Sequence, residues 1–151
     1  MHISWSFLDK RKATIGAIQA FNSMEFIINN TPDEIQNIRS QMGGATTPKL
    51  DGLPSTHDPR NREDSLLKAI DQINVLEDRY NQAVEYMAWF KPAWEQLSED
   101  ERYILEAYYM DAEWGSKAIS SIMDYFKIEK TSAYNKKNRS LHHLTNLLYG
   151  K

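Results

Sequence analysis

The sequence predicts an all-α protein: a long N-terminal antiparallel helical hairpin followed by a C-terminal domain of short helices. Apolar residues recur at three- and four-residue steps through two long stretches, and no stretch alternates with the two-residue period of a strand. The six Gly and five Pro are few, and most fall between residues 43 and 61, so they separate the two stretches more than they interrupt them. At 151 residues the chain suits one domain, or one small domain with a helical extension. The expected division is a hairpin over residues 1–92, with its Pro/Gly-rich linker at 43–61, and a short-helix domain over residues 93–151.

The first helix is established by about Lys12. From Ala17 its inward positions fall at Phe21, Met24, Ile28, Ile35, Ile38 and Met42, a heptad-like stripe. Thr31-Pro32-Asp33-Glu34 crosses this stripe and reads as a helix start, with Thr as cap, Pro in the first turn and Glu three residues after the cap. Because Pro in a helix interior costs about 3 kcal/mol, the expectation is a long helix kinked or briefly broken at Asn30-Thr31. Past the linker, Leu66, Ile70, Ile73, Leu76, Tyr80, Val84, Met87 and Phe90 mark a second long helix. It is expected to start near Asn61 or Arg62, with Glu63 and Asp64 in the first turn, and to meet a boundary or kink at Pro92.

Ser98 begins the C-terminal domain as a helix cap, and Glu101 completes a capping box. Ile104, Leu105, Tyr108 and Tyr109 form the packing face of that helix, which Trp114-Gly115-Ser116 ends. Two more short helices follow, Lys117 to Phe126 and Thr131 onward, joined by Lys127-Ile128-Glu129-Lys130. In the second of them Ala133, Leu141, Leu144 and Leu148 face inward, leaving Thr131, Ser132, Asn135, Lys136, Asn138 and Arg139 for solvent or a ligand. Two short helices with one donor-rich outer face are a helix-turn-helix pattern.

Three segments carry a family resemblance: Leu97 to Leu105 leading in, Ile122 to Phe126 in the first helix of the motif, and Ile128 to Tyr134 at the turn and the start of the recognition helix. They resemble the helix-turn-helix of sigma-70 region 4, in the version carried by small phage transcriptional regulators of the ArpU type. Thr46 to Pro54 is similar to the loop those proteins carry between two long helices. The resemblance implies a DNA-binding regulator that acts on late genes through promoter DNA and RNA polymerase. Such motifs often have Gly where this chain has Lys127, so either a left-handed backbone there carries strain of roughly 1 kcal/mol or the turn differs.

Charge distribution points the same way. The net charge is −3, yet from Gly115 onward seven Lys/Arg face two acids, leaving +5, while eleven basic and nineteen acidic residues before it leave −8. A basic end on an acidic body offers one face to phosphate, although a solvated basic helix has the same composition. On the recognition helix, Lys130, Thr131 and Ser132 would reach phosphate through side-chain and backbone donors, with Thr131 and Ser132 also able to cap it. Tyr134, Asn135 and Asn138 would meet base edges or sugar-phosphate, Asn being suited to adenine; core packing is the alternative for Tyr134. Lys136, Lys137 and Arg139 would add sequence-independent attraction.

Other chemistries find little. Four histidines lie at positions 2, 57, 142 and 143; the adjacent pair diverges by about 100 degrees on a helix and shares a metal poorly, and His57 reads as a surface residue. There is no cysteine, no phosphate loop after a strand and no long apolar run. The Met, Tyr and Trp of the seam read as core and not as a cofactor box. The expectations are therefore no enzyme, no cofactor, no metal, no membrane span and a cytoplasmic location. Double-stranded DNA is the expected partner, with RNA polymerase and a second copy of the chain, through the hairpin, as further candidates. Two alternatives stay open: a helical protein-interaction adaptor without DNA binding, and a small terminase-like DNA-packaging subunit.

Overall fold

A computed structural model describes residues 8–43, 59–111 and 116–151. The described residues are helical with no strand. In chain order they form α1 (Lys10–Gly43), α2 (Pro59–Glu95), α3 (Glu99–Leu105) continuing into a π-helical turn (Glu106–Met110), α4 (Ser116–Phe126) and α5 (Lys130–Tyr149). No helix among these residues is long and apolar enough to cross a membrane. Most of the expected linker, including His57 and the Thr46 to Pro54 loop, lies outside the described residues, as do Trp114 and Gly115.

Both long helices run further than local sequence suggests. No break occurs at Asn30-Thr31, because α1 passes unbroken through Pro32. The proline removes the donor to the carbonyl four residues back, but the neighbouring turn is held from inside and outside. Thr31 is 3% exposed, and the Asn30 amide donates to the Phe26 carbonyl at 2.8 Å. The apolar seam of Ile28, Ile35 and Ile38 continues across the proline, and its burial outweighs the local stop. Likewise α2 begins at Pro59, where a missing N–H costs nothing, and it continues through Pro92 to Glu95. Burial of Ala93 and Trp94, with Trp94 stacked on Phe90 at 5.5 Å, keeps that last turn helical.

The chain divides into two compact units. One compact unit gathers Met1–Met24 with Glu85–Lys151, and the other is Glu25–Val84. The cause is the first core of the larger unit: Ala17 and Ile18 from α1, Phe90, Ala93 and Trp94 from α2, Leu97, Leu105 and Tyr109, and Leu141, Leu144 and Leu148 from α5. The hydroxyl of Tyr86 donates to the Ala17 carbonyl, and burial, with Tyr149 adding to it, pushes that phenol well above its ordinary range. A second core in the same unit is built from Ile104, Ile119, Ile122 and Ala133.

In the smaller unit the two helix segments meet at Arg39 and Glu77, 3.4 Å apart and both well exposed. Nearer the linker, Ile38 and Met42 share a groove with Leu66 and Ala69. Ile73, Leu76 and Ala83 are buried, whereas Leu66, Ile70 and Val84, expected to face inward, are 45%, 41% and 40% exposed. A helix with one neighbour covers one stripe, and the residues flanking it stay in water.

The Ser98 cap forms as the sequence predicts. The Glu101 N–H donates to Ser98 Oγ at 3.2 Å, and the Ser98 N–H donates to Glu101 Oε2 at 2.9 Å. Glu101 also meets His143 of α5, with Nδ1 2.9 Å from Oε1. Burial pushes the Glu101 carboxyl up, but the Ser98 N–H and His143 outweigh it and hold the group below its ordinary value. A depressed carboxylate stabilises the fold above the ordinary carboxylate range, and that contribution is lost as pH falls through the folded-state value. Glu101→Gln should therefore be less stable than the parent at neutral pH, with the gap closing on acidification; urea midpoints from about pH 7 to about pH 3 check this. Ser98→Ala should cost about 1 kcal/mol in the same assay.

Candidate nucleic-acid interface

α4 stops at a cap written into its last residues. Lys127 takes the left-handed conformation, φ 53°, and the Ile128 N–H donates back to the Met123 carbonyl at 3.1 Å. Met123 and Ile128 both pack against the second core, the apolar contact that accompanies this type of helix end. Glu129 is then extended, φ −79° and ψ 163°, and its carbonyl accepts the first bond of α5 from the Ala133 N–H at 3.0 Å. Three residues thus turn the chain from α4 into α5.

Thr131 and Ser132 do not cap α5. The cap position belongs to Glu129, whose side chain makes no capping hydrogen bond, and Lys130, Thr131 and Ser132 form the first helical turn, all exposed. Along α5, Ala133, Ser140, Leu141, Leu144, Thr145 and Leu148 are buried. Ser140 and Thr145 satisfy their hydroxyls on the Lys136 and Leu141 carbonyls, at 2.8 and 2.7 Å, so the polar members of the inner edge cost little. The opposite side presents Thr131, Ser132, Asn135, Asn138, Arg139 and His142, all exposed. Of the nine expected contact residues, Lys130, Thr131, Ser132, Asn135, Asn138 and Arg139 are in water, and Lys136 is half-buried with Nζ 5.0 Å from the Phe126 ring centroid.

The other two basic or aromatic candidates turn inward. Tyr134 is half-buried and packs against the second core. Lys137 is 7% exposed, with Nζ 4.3 Å from the Tyr108 centroid and 5.4 Å from that of Tyr134. Burial lowers its affinity for a proton, and the positive charge of Arg11 lowers it further. Its position explains the correction: Lys137 lies four residues after Ala133 and four before Leu141, on the apolar edge. Tyr108 reaches the ammonium because the helix widens here, the Asp111 N–H bonding to the Glu106 carbonyl five residues back at 3.1 Å.

His142 was not among the sequence candidates, although it follows Asn135 by seven residues and Asn138 by four, the steps that keep a residue on one helix face. His143 points elsewhere, to Glu101, so the adjacent histidines serve different surroundings. A groove between α3 and α5 is lined by Ser98, Asp100, Glu101, Lys136, Arg139 and Ser140, which places two carboxylates along the same groove as two of the cations. Beside α3, Tyr125 is 58% exposed and stacks on Tyr103 at 4.1 Å.

Replacing Lys127 by Gly removes the Cβ that disfavours a positive φ. Lys127→Gly is expected to raise stability by up to about 1 kcal/mol, read as a higher denaturation midpoint at unchanged slope. Lys127→Val should lower it.

No family model, no curated protein and no solved structure matches the chain.

Proposed function

We propose that this chain is a double-stranded-DNA-binding transcriptional regulator in which α4, the three-residue turn and α5 act as a helix-turn-helix and α5 enters the major groove. One observation carries the reading: the buried edge of α5 leaves its opposite side polar, with Thr131, Ser132, Asn135, Asn138 and Arg139 exposed together. The basic C-terminal segment, +5 from Gly115 onward, supplies the attraction for phosphate. Helix α5 opens on free backbone N–H groups, since Glu129 makes no side-chain cap, and these suit a phosphate oxygen. The resemblance to phage regulators of the ArpU type extends the proposal to late-gene promoters and contact with RNA polymerase, in the cytoplasm of the host cell.

A second reading, a helical adaptor or homodimer, draws on the smaller unit. Phe26, Leu66, Leu67, Ile70, Val75 and Val84 are large apolar side chains exposed there, and none of the unit's described residues belongs to either core cluster. Exposed apolar residues in such numbers suit a protein partner. Solution mass separates a dimer from a monomer, and a large ring would instead favour a packaging subunit.

The DNA reading predicts that Lys136→Ala with Arg139→Ala weakens binding to a duplex and reduces the slope of log affinity against log salt by about two. Lys137→Met, which exchanges an inward-facing cation, should leave that slope unchanged. Unchanged affinity and slope in the double variant would overturn the assignment of this face, and retained binding to polymerase subunits without duplex binding would select the adaptor.

A further inference from the structure

Resting on the DNA reading above, we infer that α5 selects adenine-rich major-groove sites through one ridge formed by Thr131, Asn135, Asn138 and His142. All four are exposed, and their steps of four, three and four residues align them on the side away from Ala133 and Leu144. At about 1.5 Å rise per residue the ridge is about 16 Å long, the height of about five base pairs stacked at about 3.4 Å.

The chemistry of the ridge matches one base. Adenine shows the major groove an acceptor at N7 and a donor at N6, and an Asn amide returns the complementary donor and acceptor from one side chain. Neither the Asn135 nor the Asn138 amide has a hydrogen-bond partner among the described residues, so both are available without breaking an internal contact. Guanine needs two donors, from Arg or Lys, and cytosine needs a carboxylate. The ridge holds neither. Arg139 lies beside it, with Nε 3.5 Å from the Asn135 carbonyl, and Asp100 and Glu101 belong to the groove with α3. Thr131 offers its methyl group to thymine at one end, and His142 adds a ring nitrogen at the other.

The test uses the full chain and a pool of random-sequence duplexes, with bound molecules recovered and sequenced. The parent should enrich sites containing adenine at two or more neighbouring positions. Asn135→Ala and Asn138→Ala should each reduce the preference for the enriched site over a random duplex on the order of tenfold, while binding to the random duplex at low salt changes less than about twofold. Asn138→Arg should move the enriched base at one position toward guanine. These positions are exposed, and unchanged thermal midpoints would show that the variants fold. Salt-dependent binding with no adenine enrichment, or with enrichment that both Asn→Ala variants retain, overturns the adenine reading and leaves DNA binding standing. Failure of the folded parent to bind any duplex at low salt overturns both.

Discussion

Helix α5 is held along one edge by two separate cores, and this double attachment governs the larger unit. Its first turns carry Ala133 into the core with Ile104, Ile119 and Ile122, and its later turns carry Leu141, Leu144 and Leu148 into the core with Ile18, Phe90 and Trp94. Helix α3 serves both, since its consecutive residues Ile104 and Leu105 go to different clusters. The π-helical turn at Glu106–Met110 shifts the register of the residues that follow, and within it Tyr109 joins one core while Tyr108 touches both. Fixing α5 in this way also fixes which of its side chains remain in water.

Lys137 shows how strictly that edge is imposed. A cation at an apolar position is tolerated because its stem packs and its ammonium lies over two phenol rings, each contact of this kind contributing roughly 0.5 to 2 kcal/mol. Basic charge on α5 is therefore not interchangeable: Lys136 and Arg139 line the groove beside the acids of α3, and Lys137 supports the core. The same α3 acids limit the field that the cations project. Glu101 is already engaged by Ser98 and His143, and Asp100 lies along the groove with Lys136 and Arg139. On the DNA-binding reading, these acids temper the attraction for phosphate and place more of the selectivity on the neutral donors Asn135 and Asn138.

Where local and longer-range patterns agreed, the fold was legible in the sequence. The Ser98 capping box, the turn at Lys127 and the inward set Ala133, Leu141, Leu144 and Leu148 each follow from a few neighbouring residues, and each is found. Neither proline ends its helix, because a helix that buries Thr31 or Trp94 on its inner face gains more than one missing hydrogen bond costs. The first core of the larger unit was not legible: nothing local to Ile18 or Phe90 reveals that they will pack on Leu141 and Leu144, more than fifty residues away in the chain. On the candidate face, periodicity placed the outward residues and put Lys137 on the apolar edge, four residues from both Ala133 and Leu141; what it does not show is Tyr108 and Tyr134, the rings that receive the ammonium.

The exposed apolar residues of the smaller unit bear on how such a face would be used. A single recognition helix of this length spans about half a turn of duplex, about five of the 10 to 10.5 base pairs that separate dimeric half-sites. One α5 with three cations, Lys130, Lys136 and Arg139, in reach of phosphate would bind weakly at physiological salt. Regulators of this kind gain affinity either from a second copy or from a protein already seated on the promoter, and both routes raise the local concentration of the reading head without changing its contacts. Either route requires a surface that α5 does not provide. Phe26, Leu66, Leu67, Ile70, Val75 and Val84 are exposed and belong to the unit that does not hold α5. On the DNA-binding reading, a partner on the long helices would supply affinity and α5 would supply the choice of site.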